Sequence, residues 1–130
     1  MEPNRLLDIY YYVDDRGNRP VEVFIRSLPV KERSRILAYI YELKKEGNNL
    51  RRPMADYLRG GIYELRPRRN RLFYFFYLRD SVVLVHAIIK LTTEIPQNDL
   101  NLCLRRKNQV QNEGGHIEKL GLRGDLNGQD

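Results

Sequence analysis

The sequence predicts an α+β fold: a strand, a two-helix crossover, a three-stranded antiparallel meander and a C-terminal helix. Three observations lead there. An amphipathic helical pattern fills Val30–Glu46, three apolar, β-branched and aromatic runs follow one another closely between Gly61 and Ile89, and Pro96 opens a second helical pattern after them. The first strand is read over Leu6–Val13, where LLDIYYYV is apolar and tyrosine-rich. Asp14–Pro20 has turn composition, and Pro20 suits the first turn of a helix in which Val21, Phe24, Ile25 and Leu28 follow helical spacing. Pro29 ends it. In Val30–Glu46, Ile36, Leu37, Ile40, Tyr41 and Leu43 form the apolar stripe, with Lys44 and Lys45 in the last turn and Gly47 as the stop.

Residues 48–61 read as a loop that ends on Gly60-Gly61. The meander strands are Gly61–Arg66, Arg71–Leu78 and Ser81–Ile89, joined by Pro67–Asn70 and Arg79-Asp80. The second and third are apolar on both faces, which marks them as central. The last helix runs from Pro96 to about Lys107. A domain over 1–107 is therefore expected, followed by a polar, glycine-rich tail over 108–130 that reads as flexible. One sheet face lies under the crossover helices, and the other is expected to stay open near the hairpins.

The 130 residues are 42% hydrophobic and 31% charged, ordinary for a water-soluble domain. No apolar run is long enough for a membrane span, and the N-terminus has no signal-peptide pattern, so the expected location is the cytoplasm. Cys103 is the only cysteine, which excludes a disulfide framework and a Cys-based zinc site. The acids are too scattered for a two-metal nuclease, so neither metal nor cofactor is expected.

Charge is the most informative property. The net charge is +6 with a pI near 9.6, and arginines outnumber lysines 17 to 6. Between Arg51 and Arg79 there are eight arginines against two acids, Asp56 and Glu64. Arginine's planar fork suits phosphate, and such a patch is the footprint of a nucleic-acid binder. A solvated face or a contact for an acidic protein fits the same charge.

The ordered series Gly61-Ile62-Tyr63-Glu64-Leu65-Arg66, Arg71-Leu72-Phe73-Tyr74-Phe75-Phe76, Val85-His86-Ala87-Ile88-Ile89-Lys90 and Pro96 resembles the RelE/ParE toxin superfamily, with the closest likeness to its phage-derived, HigB-like branch. The resemblance spans about Leu6–Lys107. It implies the toxin of a type II toxin–antitoxin pair: a ribosome-associated mRNA endonuclease that inhibits growth. Cleavage in that family proceeds by attack of a 2′-hydroxyl on the adjacent phosphate. The implied partners are mRNA, the ribosome and a cognate antitoxin carrying a helix-turn-helix. The family's strand-opening arginine matches Arg71, a phosphate contact and transition-state stabiliser. The arginine that ends GIYELR matches Arg66, and the third strand supplies His86 and Lys90. HigB-like chains often continue with a second lysine and Thr-Gln-Lys-Thr-Pro. Here Leu91 and Glu94 replace two positive positions.

The chemistry assigns roles. Arg66 and Arg71 stabilise charge on phosphate, and His86 or Lys90 carries protons. Arg59, Arg68 and Arg69 grip the backbone, while Tyr63 and Tyr74 offer stacking faces for bases. His86 also fits a satisfied core histidine, and the tyrosines fit sheet core. Two rival functions share these features: a ParE-type toxin that inhibits gyrase, and a non-catalytic nucleic-acid- or protein-binding regulator of phage origin.

Overall fold

The computed structural model of the chain describes residues 5–121. Its elements are β1 (Asp8–Val13), α1 (Pro20–Arg26), α2 (Val30–Glu46), β2 (Ala55–Arg59), β3 (Ile62–Leu65), β4 (Asn70–Tyr77), β5 (Ser81–Ile89), α3 (Gln97–Asn112) and β6 (His116–Lys119). The strands make one six-stranded sheet in the order β2-β3-β4-β5-β1-β6. β2 through β5 form an antiparallel meander. β1 pairs parallel to β5, from which α1, α2 and the rest of the meander separate it in the chain, and β6 pairs antiparallel with β1. The architecture is α+β, as the pattern of strands and helices predicts.

Alternation along the central strands builds two cores. Leu72 and Tyr74 on β4, with Val82 and Leu84 on β5, face Val21 and Ile25 of α1 and Ile36, Ile40 and Leu43 of α2. Phe73, Phe75, Val83 and Val85 face the opposite way, onto Cys103 and Val110 of α3. Each large apolar side chain so buried contributes about 1.5–3 kcal/mol, which explains why β4 and β5 carry no polar face. The expectation of an open second face is thus corrected: α3 lies on it. Tyr41, placed in the α2 stripe, is exposed instead.

Two further elements depart from the sequence reading. Residues 55–59, read as loop, form the edge strand β2. Residues beyond 107, read as a flexible tail, continue α3 to Asn112 and then form β6. The domain boundary expected at 107 therefore falls inside a helix. The glycines there have a structural use. Gly114 takes φ +70, and a Cβ on Gly115 would sit 2.9 Å from the Gln109 carbonyl carbon. Gly115 N–H instead donates to the Gln109 carbonyl at 2.8 Å, which closes α3 and turns the chain back. β6 is then held by the Arg19 fork on Glu118 (2.8 and 2.9 Å) and by the Tyr11 hydroxyl. Residues 122–130 of the expected tail lie outside the described residues.

Candidate nucleic-acid interface

The β3–β4 hairpin positions the arginines. Its turn closes with Asn70 N–H donating to the Pro67 carbonyl at 3.0 Å. Arg68 takes φ +58, a left-handed conformation that costs a non-glycine residue about 1–2 kcal/mol. The turn is clamped by the side chain of Arg71, whose Nη1 donates to the carbonyls of Arg68 (2.5 Å) and Asn70 (2.9 Å). The Arg68 and Arg69 side chains are thereby left exposed at the tip. Lys90 N–H donates to the Arg69 carbonyl at 2.7 Å, so the end of β5 brings a third cation beside them.

Behind the tip lies a buried charge cluster. Alternation puts Glu64, Arg66 and Arg71 on the face shared with Phe73. Glu64, 3% exposed, accepts from Arg66 Nη1 at 2.6 Å and faces Arg71 Nε at 3.6 Å. That second contact is too long for a hydrogen bond. Arg71 Nε and Glu64 Oε1 are both buried without a hydrogen-bond partner. One carboxylate between two guanidiniums leaves the trio net positive. Burial, and after it the nearby Arg66 charge, pulls the Arg71 pKa below the ordinary arginine value. Arg66 is 16% exposed and Arg71 8%, so Arg66 is the guanidinium nearer water.

β5 adds a titratable group to the same face. The β4–β5 register slips between Phe73 and Tyr74, leaving Val85 without a cross-strand partner. Arg106 of α3 satisfies the Val85 carbonyl at 2.7 Å. Past this bulge His86 lies opposite Phe73 and stacks on its ring, 5.7 Å between centroids. His86 Nε2 lies 2.7 Å from Oδ1 of Asp99, in the first turn of α3. With Asp99 ionised this bond holds the ring proton on Nε2 and leaves Nδ1 as the basic nitrogen. Arg71 lies opposite Ile88, two positions along β5 from His86. That diagonal corresponds to roughly 7–8 Å between Cα atoms.

The structure therefore gathers Arg66, Arg71 and His86 on one face, with Arg68, Arg69 and Lys90 at the adjoining tip. It separates the remaining residues from them. Tyr74 faces the α1–α2 side and is 1% exposed. It is core, and the stacking role expected for it is corrected, because no base can reach its ring in this packing. Tyr63 also faces that side, stacked on Tyr74 at 5.4 Å, with its hydroxyl donating to Asn48 Oδ1. Arg59 is exposed at the far end of β2. Asp99 and Arg106 were missed by sequence reasoning. In sequence, Asp99 is only an acid in a first helical turn and Arg106 one of a basic pair, and neither pattern names its partner on β5.

No group of histidine, cysteine, aspartate or glutamate among the described residues is arranged to hold a metal ion. No described helix is long and apolar enough to cross a membrane.

No curated protein matches the chain in sequence. The model of a protein family described as "Phage derived protein Gp49-like (DUF891)" matches residues 23–108, which run from α1 into α3 and include every residue of the candidate site above. The chain belongs to this phage-derived Gp49-like family, a family of RelE/HigB-like toxin type.

Proposed function

We propose that the chain is the toxin of a type II toxin–antitoxin pair and an endoribonuclease acting on mRNA at the ribosome, in the cytoplasm. One observation carries this reading: a histidine oriented by a carboxylate shares a sheet face with two clustered arginines, beside a tip of exposed cations. Internal phosphodiester cleavage needs that set. His86 Nδ1 takes the proton of the 2′-hydroxyl, whose oxygen attacks the adjacent phosphorus. Arg66, backed by Arg71, stabilises the charge gathering on the phosphate oxygens. The 5′-oxygen leaves with a proton from the Lys90 ammonium, giving a 2′,3′-cyclic phosphate and a 5′-hydroxyl. Arg68 and Arg69 hold flanking phosphates. A helix-turn-helix antitoxin is the partner this reading calls for.

The test is induced expression in a bacterial host, with growth and transcript 5′ ends followed together. Wild type should arrest growth and cut transcripts. His86→Gln keeps a group that can bond Asp99 but no base, and should cut at least about 100-fold more slowly. Arg66→Gln should lose about 100–1000-fold. Cleavage undiminished in His86→Gln would refute the mechanism. Arrest with intact transcripts would point to the gyrase-directed alternative, which a supercoiling assay reads directly. The commitment of Arg71 to Glu64 and to the turn carbonyls favours a second reading, a regulator that binds nucleic acid without cutting it. Wild type that binds RNA, leaves it intact and is harmless is the result expected for that reading.

A further inference from the structure

At the opposite end of β4 from the arginine hairpin lies a cleft of about 560 Å³ that none of the roles above uses. Its walls come from distant parts of the chain: the end of α2, the turns at Gly61 and Arg79, residues just before β1, and α3. Those segments converge five cations on it, Arg5, Lys44, Lys45, Arg79 and Lys107, against a single acid, Glu46. Two of the cations are neutralised from outside the cleft, Arg5 by Asp80 at 3.1 Å and Lys45 by Glu42 at 3.1 Å. Lys44 binds the Leu7 carbonyl and Lys107 binds Gln111, both uncharged acceptors. Among the described residues no carboxylate pairs with Lys44, Lys107 or Arg79, and Arg79 is exposed. Like charges gathered without counter-charges form a site for an anion.

Aromatic surface joins this charge. Tyr63 and Phe76 line the cleft, edge to face at 5.2 Å. Tyr63 is also a wall of a neighbouring cleft with Arg51 and Tyr57, so the two depressions meet along its ring. Gly61, common to both depressions, takes φ +85, a backbone conformation that favours glycine. Cations for phosphate with aromatic edges for a base fit a nucleoside phosphate.

We infer that this cleft binds a nucleoside phosphate, either as one unit of a single-stranded RNA or as a free nucleotide. It is separate from the hairpin site, because the five-residue step along β4 from Arg71 to Phe76 spans roughly 17 Å. The strand form rests on the RNA-binding reading above, and the free-nucleotide form stands without it.

The test is a titration of the full chain with two probes, a labelled single-stranded 12-nucleotide RNA and adenosine monophosphate. Wild type is compared with Arg79→Gln/Lys107→Gln in the cleft and Arg68→Gln/Arg69→Gln at the hairpin. Circular dichroism confirms folding, and the amide signal of Gly61 reports the site. If the cleft holds a unit of the strand, the cleft variant binds RNA at least about fivefold more weakly, and its log–log salt slope falls by about 0.7 for each phosphate it no longer neutralises. If it holds free nucleotide, adenosine monophosphate shifts the Gly61 signal in wild type and not in the cleft variant, whatever the RNA does. RNA binding lost only in the hairpin variant, with no nucleotide response at Gly61, overturns the cleft and leaves the proposed function standing. Absence of RNA binding to wild type, with a nucleotide response at Gly61, overturns the strand form and keeps the free-nucleotide form. Wild type that binds neither probe overturns the cleft, whatever growth arrest and transcript cleavage show of the proposed function.

Discussion

Replacing Glu64 by glutamine tests whether the buried charge cluster is built as described. Among the described residues the carboxylate is the only anion between Arg66 at 2.6 Å and Arg71 at 3.6 Å, and it is 3% exposed. Removing one partner from a buried ion pair costs about 3–5 kcal/mol, because the remaining charge is left without compensation. Two features place Glu64→Gln at the low end, near about 3 kcal/mol. Arg71 keeps the Arg68 and Asn70 carbonyls as acceptors, and Arg66, nearer the surface, can turn toward water. For a chain of this length that lowers Tm by roughly 10–15 °C. In urea, with m of about 2 kcal/mol/M, the midpoint falls by about 1.5 M at unchanged m. Arg71→Met and the double variant complete the cycle. Once Arg71 is gone, Glu64→Gln should cost clearly less, a coupling of about 1–3 kcal/mol. A Glu64→Gln stability within about 0.5 kcal/mol of wild type, or strictly additive costs, would refute the reasoning.

Three further outcomes are expected. The Arg19 fork, then the Tyr11 hydroxyl, holds the Glu118 pKa down at about 2 against an ordinary value near 4.5. A depressed folded-state pKa means that this contribution is intact above the ordinary value and lost as pH falls toward about 2. Protection of the β6 amides, measured against their intrinsic exchange rates, should therefore fall between those limits in wild type, and Glu118→Gln, already less protected at pH 7, should lack the transition. Burial pushes the Cys103 thiol up to about 12. A thiol reagent at pH 8 should label the native chain slowly and the urea-unfolded chain at once, and fast native labelling would contradict the packing of α3. Tyr74→Ala should cost about 3–5 kcal/mol in a urea titration, whereas Tyr74→Phe should leave RNA affinity unchanged, and a specific RNA defect in Tyr74→Phe would contradict its assignment to the core.

The helices α1 and α2 and the strands β3 to β5 are legible in the sequence because each carries its own local signal. Pro20, Pro29 and Gly47 punctuate the helices, and the central strands are apolar on both sides. β2 is not legible. ADYLR has no alternation of its own, and it is a strand because β3 offers an edge, pairing Ala55 with Leu65 and Tyr57 with Tyr63. β6 escapes the sequence for a related reason. Glycine near a chain end suggests flexibility by composition, whereas Gly114 and Gly115 here make the reversal that delivers Glu118 to Arg19.

By itself the sequence determined the α+β class, the central place of β4 and β5, the concentration of arginine around the β3–β4 hairpin and the shared strand parity of His86 and Lys90. These follow from local propensity, alternation and charge count, which one stretch of chain carries alone. Only the tertiary structure decided what each side chain does there. Arg71, an open phosphate contact by its sequence pattern, is a buried clamp on its own turn. Tyr74, a stacking surface by the same kind of pattern, is core. His86 gains Asp99 from a helix 13 residues away, and Lys44, Arg79 and Lys107 meet only once the sheet has formed. Pairing and burial depend on which distant residues fold against one another, and strand periodicity reports the face of a side chain but not what covers that face.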